Sequence, residues 1–150
     1  METIVILSLG TNLGDKEKNL KLAIEKINQN VGLVLKVSNH LVTEPWGFES
    51  NNHFLNCCCI MKTEFKPTDL IEKLKEIEFD MGRNNPKHNQ YQDRIIDLDI
   101  IFYGNQLFRQ ENLVIPHKNF RKRDFVLKPL LELSNLIDPE TFIFIDQFTK

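Results

Sequence analysis

The 150-residue sequence has no basic excess: 19 Lys and Arg stand against 21 Asp and Glu, a formal net charge of -2. A general nucleic-acid binder carries a positive surplus to neutralise phosphate, so RNA or DNA is not an expected partner. Any phosphate-binding surface has to come from locally clustered Lys and Arg. Long apolar runs are also missing. The one that opens the chain, Ile4 to Leu9, is far shorter than the roughly 20 residues a membrane span needs. Met1-Glu2-Thr3 before it is not a basic leader, which predicts a cytoplasmic protein with no membrane association. Cysteine is scarce, and Cys57, Cys58 and Cys59 are consecutive. Neighbours on a strand point to opposite faces, so these three suit neither a disulfide framework nor a metal knuckle and are expected as buried free thiols. There is no Gly-x-x-x-x-Gly-Lys loop; Gly10-Thr11-Asn12-Leu13-Gly14 is only a glycine turn, which excludes a P-loop enzyme.

What remains is globular, with 41% hydrophobic and 27% charged residues, of a length that fits a single domain over 1–150. Ile4-Val5-Ile6-Leu7 is β-branched and fully apolar and reads as a central strand. Asp15 is placed to cap a helix from Lys16 to about Asn30, with Leu20, Ile24 and Ile27 as its buried stripe. Leu33 to Ser38 and Phe54 to Thr63 predict the second and third strands. Pro67 opens a second helix with Leu70, Leu74, Ile77 and Met81 on one face, ended by Gly82. Ile95 to Tyr103 is the fourth strand, and Asp124 is expected to cap a short third helix that Pro129 distorts. Strand, helix, strand, strand, helix, strand is the order of a ferredoxin-like βαββαβ α+β domain, here with a C-terminal extension and layers in the order α/β/α.

The chemistry concentrates in Arg94-Ile95-Ile96-Asp97-Leu98-Asp99-Ile100. Period-two geometry puts Ile96, Leu98, Ile100 and Phe102 on one face and both aspartates on the other, roughly 7 Å apart. Like charges so placed call for a cation, and Mg²⁺ is bound by one or two carboxylates together with waters and substrate phosphates. Basic groups bracket the pair: Arg83, Lys87, His88 and Arg94 before it, His117, Lys118, Arg121, Lys122 and Arg123 after it. Acids that hold metal and guanidinium forks that take the remaining charge are what the polyphosphate of ATP requires. Trp46, Phe48, Phe54, Tyr91 and Phe125 lie in or beside loops where a flat heterocycle could be sandwiched, and Asn56 offers a donor and an acceptor to its edge. The polar stretch Arg83 to Asp93 is long enough to act as a lid. A nucleotidyltransferase with paired aspartates and a ferredoxin-like RNA-binding module are the rival readings; the negative charge and the acid pair weigh against the second.

Together, Ser8-Leu9-Gly10-Thr11-Asn12-Leu13-Gly14-Asp15, Phe54-Leu55-Asn56, Glu78, Gly82-Arg83, the Asp97 and Asp99 strand, Ile115-Pro116-His117 and Arg123-Asp124-Phe125 closely resemble the 6-hydroxymethyl-7,8-dihydropterin pyrophosphokinases of folate biosynthesis. The resemblance covers nearly the whole chain and implies transfer of the β,γ-diphosphate of ATP to the hydroxymethyl group of the pterin, giving AMP and the pterin diphosphate. It implies a monomer in which Asp97 and Asp99 bind two Mg²⁺ ions, with Arg83 and Arg94 as further catalytic groups. ATP would be held by Glu78, Arg83, Arg94, Ile100, His117 and Arg123. The pterin would meet Thr43, Pro45, Trp46, Phe54, Asn56, Asp97 and Phe125, and the segment from Arg83 to Asp93 would close over both substrates. Asn85, Tyr91-Gln92-Asp93 and Asn112 depart from the family pattern, which commonly has arginine, Trp-Gly-Pro and arginine there, so this chain's closing contacts are its own.

Overall fold

A nine-residue apolar strand can lie at the centre of a sheet only if both of its edges and both of its faces are covered, and β1 (Thr3–Thr11) meets both conditions. The computed structural model describes residues 1–44, 52–82 and 95–149. After β1 come α1 (Lys16–Asn30), β2 (Leu33–Val37), β3 (Leu41–Thr43), β4 (Phe54–Thr63), α2 (Pro67–Asp80) and β5 (Asp97–Tyr103). A hairpin of β6 (Phe108–Gln110) and β7 (Leu113–Ile115), a 3₁₀ turn (Phe120–Lys122), α3 (Asp124–Leu133) and a last 3₁₀ turn (Ile145–Thr149) complete the chain. The sheet order is β2-β4-β1-β5, antiparallel throughout, with β3 added to the start of β4. With β1 and β4 in the middle and β2 and β5 outside, the sheet has the ferredoxin-like arrangement expected from the element order.

Two cores make the three layers. Val5, Leu7, Leu9, Met61, Leu98 and Ile100 pack beneath Leu20, Ala23 and Ile27 of α1 and Leu70, Leu74 and Ile77 of α2. Ile6, Ile101 and Phe102 pack against Val126, Leu127 and Leu130 of α3. The consecutive cysteines divide as alternation requires, Cys57 and Cys59 into the first core and Cys58 into the second, all as free thiols. Burial, reinforced by the charge of Glu17, pushes the Cys57 thiol up to about 12, so it stays protonated and unreactive. Among the described residues no helix is long and apolar enough to cross a membrane.

Local chemistry explains most boundaries. Asp15 caps α1 by accepting the Lys18 amide at 3.2 Å, and Gly82 ends the α2 segment at φ +129, a region that favours glycine. Two expectations need correction. Asp124 is the first residue of α3 and not its cap; Arg123 holds the cap position without a side-chain bond, and Asp124 places its charge in the first turn, where it complements the helix dipole. Pro129 lies inside α3, which runs to Leu133, the expected end. Phe102 does not share a face with Ile100. The β1–β5 register steps from Ile6↔Phe102 to Leu7↔Ile100, so Ile101 is an extra residue, and parity flips there. Phe102 thereby reaches the α3 side, edge-on to Phe120 with ring centroids 5.1 Å apart.

Candidate active site

Because the bulge falls after Asp99, the alternation of the first half of β5 is intact, and Asp97 and Asp99 project from the face opposite Leu98 and Ile100. They stand opposite Gly10 and Ser8 of β1, both half-buried. Around Asp99 the segment after β7 brings two nitrogen donors: His117 Nε2 and Arg123 Nη1 each lie 3.9 Å from Asp99 Oδ2. That separation makes these electrostatic contacts and not direct hydrogen bonds.

His117 is held as a neutral donor. Its Nδ1 accepts the Asn119 amide at 3.2 Å, which puts the ring proton on Nε2, facing Asp99. Burial first, then the charges of Arg123 and Lys118, lower its pKa to about 4 against the opposing pull of Asp97. Arg123 is itself buried, 6% exposed, with its guanidinium carbon 5.4 Å from the Phe125 ring centroid. Arg121, two residues away, does something else. Its fork binds the fully buried Asp138 at 2.6 and 3.0 Å and tethers the C-terminal extension. The basic run therefore divides: His117, Lys118 and Arg123 face the aspartates, and Arg121 serves the fold.

Two cavities meet at the aspartates. The first is lined by Ser8, Gly10, Thr43, Glu44, Phe54, Asn56, Asp97, Asp99, Arg123 and Phe125. Asn56 is 2% exposed, and its Nδ2 donates to Thr43 Oγ1 at 2.7 Å, which fixes which end of the amide is left for a ligand. The second cavity is lined by Ile71, Lys75 and Glu78 of α2, Asp97 to Ile100 of β5, Glu111 to Val114 around the β6–β7 turn, and His117 and Lys118. Asp97 and Asp99 belong to both. Mg²⁺, which takes one or two carboxylates and completes its shell with waters and phosphate oxygens, fits that donor set.

Of the expected site residues, Thr43, Phe54, Asn56, Asp97, Asp99, Arg123 and Phe125 come together around the first cavity, and Glu78, Ile100 and His117 with the aspartates around the second. Pro45, Trp46, Arg83 and Arg94 lie outside the described residues, as do Lys87 and Tyr91. Gly10 and Lys75 were not singled out as site residues. Gly10 carries no reactive group, but a Cβ there would come within 2.8 Å of Asn56 Oδ1. Lys75 is three residues before Glu78 on the same helical face, a spacing that was legible once Glu78 was noticed.

Comparisons with known proteins agree with this geometry. Residues 6–135 match the family model of 7,8-dihydro-6-hydroxymethylpterin-pyrophosphokinase. A 2-amino-4-hydroxy-6-hydroxymethyldihydropteridine pyrophosphokinase of Porphyromonas gingivalis is 39% identical over 139 residues, covering 91% of this chain and 95% of the relative. The Bacillus subtilis protein of that name is 34% identical over 141 residues, covering 93% of this chain and 83% of the relative. In fold, the chain matches Plasmodium falciparum HPPK-DHPS with a TM-score of 0.77 at 15% identity, covering 99% of this chain and 44% of the longer one. The chain thus belongs to the 7,8-dihydro-6-hydroxymethylpterin-pyrophosphokinase family, as an ATP-dependent transferase of folate biosynthesis that moves the pyrophosphoryl group of ATP to hydroxymethylpterin.

Proposed function

We propose that the first cavity receives 6-hydroxymethyl-7,8-dihydropterin, the second receives ATP, and Asp97 and Asp99, on the wall they share, would hold two Mg²⁺ ions. The observation that carries this reading is the shared wall: both carboxylates line both cavities. Asn56, oriented by Thr43, meets the polar edge of the pterin, while Phe54 and Phe125 cover its faces. On the other side His117 donates from Nε2, and Lys75 and Lys118 add charge for the phosphates. Asp97 and Asp99 mark the ATP side of the pterin cavity, where the hydroxymethyl group would sit, with Arg123 of the same cavity 3.9 Å from Asp99.

In this arrangement the hydroxymethyl oxygen bonds to the β-phosphorus, and the bond from that phosphorus to the α,β-bridging oxygen breaks. AMP leaves with the bridging oxygen, and the proton of the attacking hydroxyl is released to solvent. When bound, Mg²⁺ neutralises charge spreading over the phosphate oxygens. The chain's own contribution is to align the two substrates and to hold neutral and cationic donors against the triphosphate. Residues 83–93 are read as the segment that closes over both substrates and excludes water, with Arg83 and Arg94 as phosphate contacts. The reading takes residues 1–150 as one domain that works as a cytoplasmic monomer, independent of nucleic acid and membrane.

Counting bound Mn²⁺ by electron paramagnetic resonance, with a non-hydrolysable ATP analogue and the pterin present, tests the two-ion arrangement. Two ions per chain are expected, with fewer in Asp97→Ala and in Asp99→Ala. A single ion in the native protein, or an unchanged count in both variants, refutes it.

A further inference from the structure

Glu78 is an acid in a position where an apolar residue would suit the packing. It lies near the end of α2 beside Ile77, is 4% exposed, and its Oε2 accepts the backbone amide of Leu98 at 2.8 Å. Among the described residues β5 is paired on one side only, with β1. Amides of such a strand that point away from its neighbour need a partner, or they stand unsatisfied at a buried edge. Leu98 is one of these, and it falls between Asp97 and Asp99. The Glu78 bond fixes the peptide plane that joins Asp97 to Leu98 and hence the pitch at which the two flanking carboxylates leave the strand. A glutamate brought near two aspartates adds like charge to the site, a cost that an uncharged acceptor would avoid.

We infer that Glu78 is a positioning residue, which acts through the Leu98 amide to hold Asp97 and Asp99 at the separation their metal ions require. This inference rests on the proposed reading of the site and differs from a direct contact of Glu78 with ATP. Outer partners of metal-ligating groups commonly change metal affinity by about 10- to 100-fold when removed.

Glu78→Gln keeps an oxygen acceptor for Leu98 and removes the charge, whereas Glu78→Ala removes both. In the protein alone, hydrogen exchange of the Leu98 amide is expected to stay slow in Glu78→Gln and to rise at least about tenfold in Glu78→Ala. With a non-hydrolysable ATP analogue, Glu78→Ala is expected to need about tenfold or more Mn²⁺ for half-saturation and to lose a similar factor in kcat. Glu78→Gln is expected to stay within about threefold of the native protein in both, and metal-free nucleotide affinity to be unchanged in either variant. Native Mn²⁺ affinity in Glu78→Ala overturns the inference. So does equal impairment of both variants, which would make the charge the active feature, or a loss of metal-free nucleotide affinity, which would make Glu78 a nucleotide contact. Should Glu78→Ala not fold, Glu78→Met preserves the packing without the carboxylate, and the same outcomes decide. Failure of the native protein to bind metal with nucleotide would instead refute the site itself, while Leu98 exchange still reports on the bond.

Discussion

Gly10→Ala is the smallest change that separates the two substrates. Gly10 sits on β1 between Asn56 of β4 and Asp97 of β5, its register partners on either side. The added methyl would lie 2.8 Å from Asn56 Oδ1 and 3.5 Å from the Phe54 ring. The first distance is well inside van der Waals contact, and the amide is the softer neighbour, so Asn56 has to turn. Turning breaks its 2.7 Å bond to Thr43 Oγ1 and moves the group that faces the pterin. Losing a hydrogen bond in a buried site costs about 1–3 kcal/mol, or roughly 5- to 150-fold in the pterin dissociation constant. The overpacking itself is expected to cost about 1–3 kcal/mol of stability. Pterin fluorescence titration and calorimetry with an ATP analogue give the two affinities separately. A pterin affinity within twofold of native, or an equal loss for both ligands, would refute the reasoning.

Asn56→Ala should weaken pterin binding by a similar factor and leave ATP affinity unchanged, as the same two titrations would read. Asp97→Ala and Asp99→Ala should each lower kcat on the order of a thousandfold in single-turnover assays; without metal, Asp97→Ala should keep or raise the melting temperature because one of two repelling carboxylates is gone. Arg121→Ala strands the fully buried Asp138 without its fork and should cost about 3 kcal/mol in urea unfolding, since breaking a buried pair exposes the penalty of the remaining charge. Burial alone would push the Asp138 carboxyl up, but Arg121, the Glu140 amide and the Thr141 hydroxyl together hold it below its ordinary value. Its contribution to stability is therefore present above the unfolded value and lost as pH falls through the folded one. Acid unfolding followed by circular dichroism should begin at a higher pH in Arg121→Ala than in the native protein.

The sheet and the helices over it were legible for different reasons: β1 and β4 are nearly continuous apolar runs buried on both faces, whereas α1 and α2 bury single stripes at helical spacing. Alternation failed at Phe102 because a bulge is one extra residue whose position is decided by packing on both sides of the sheet, and the run Ile100-Ile101-Phe102 is apolar throughout. The acid pair was legible for the complementary reason: the bulge comes after it. Proximity in sequence could not sort the basic run after β7. In the 3₁₀ turn Phe120–Lys122 successive side chains are about 120° apart, so Phe120 enters the core while Arg121 swings to Asp138, a partner 17 positions on. Gly10 was hidden for another reason. Its role is the space it leaves for Asn56, and only the register of two neighbouring strands reveals that.

The most direct test follows the phosphorus. With the protein, Mg²⁺, ATP and 6-hydroxymethyl-7,8-dihydropterin, ³¹P nuclear magnetic resonance should show AMP and a pterin ester carrying two coupled phosphorus atoms, in equal amounts and only when the pterin is present. Release of pyrophosphate with a nucleotidylated product, or AMP formed at the same rate without pterin, would contradict the account.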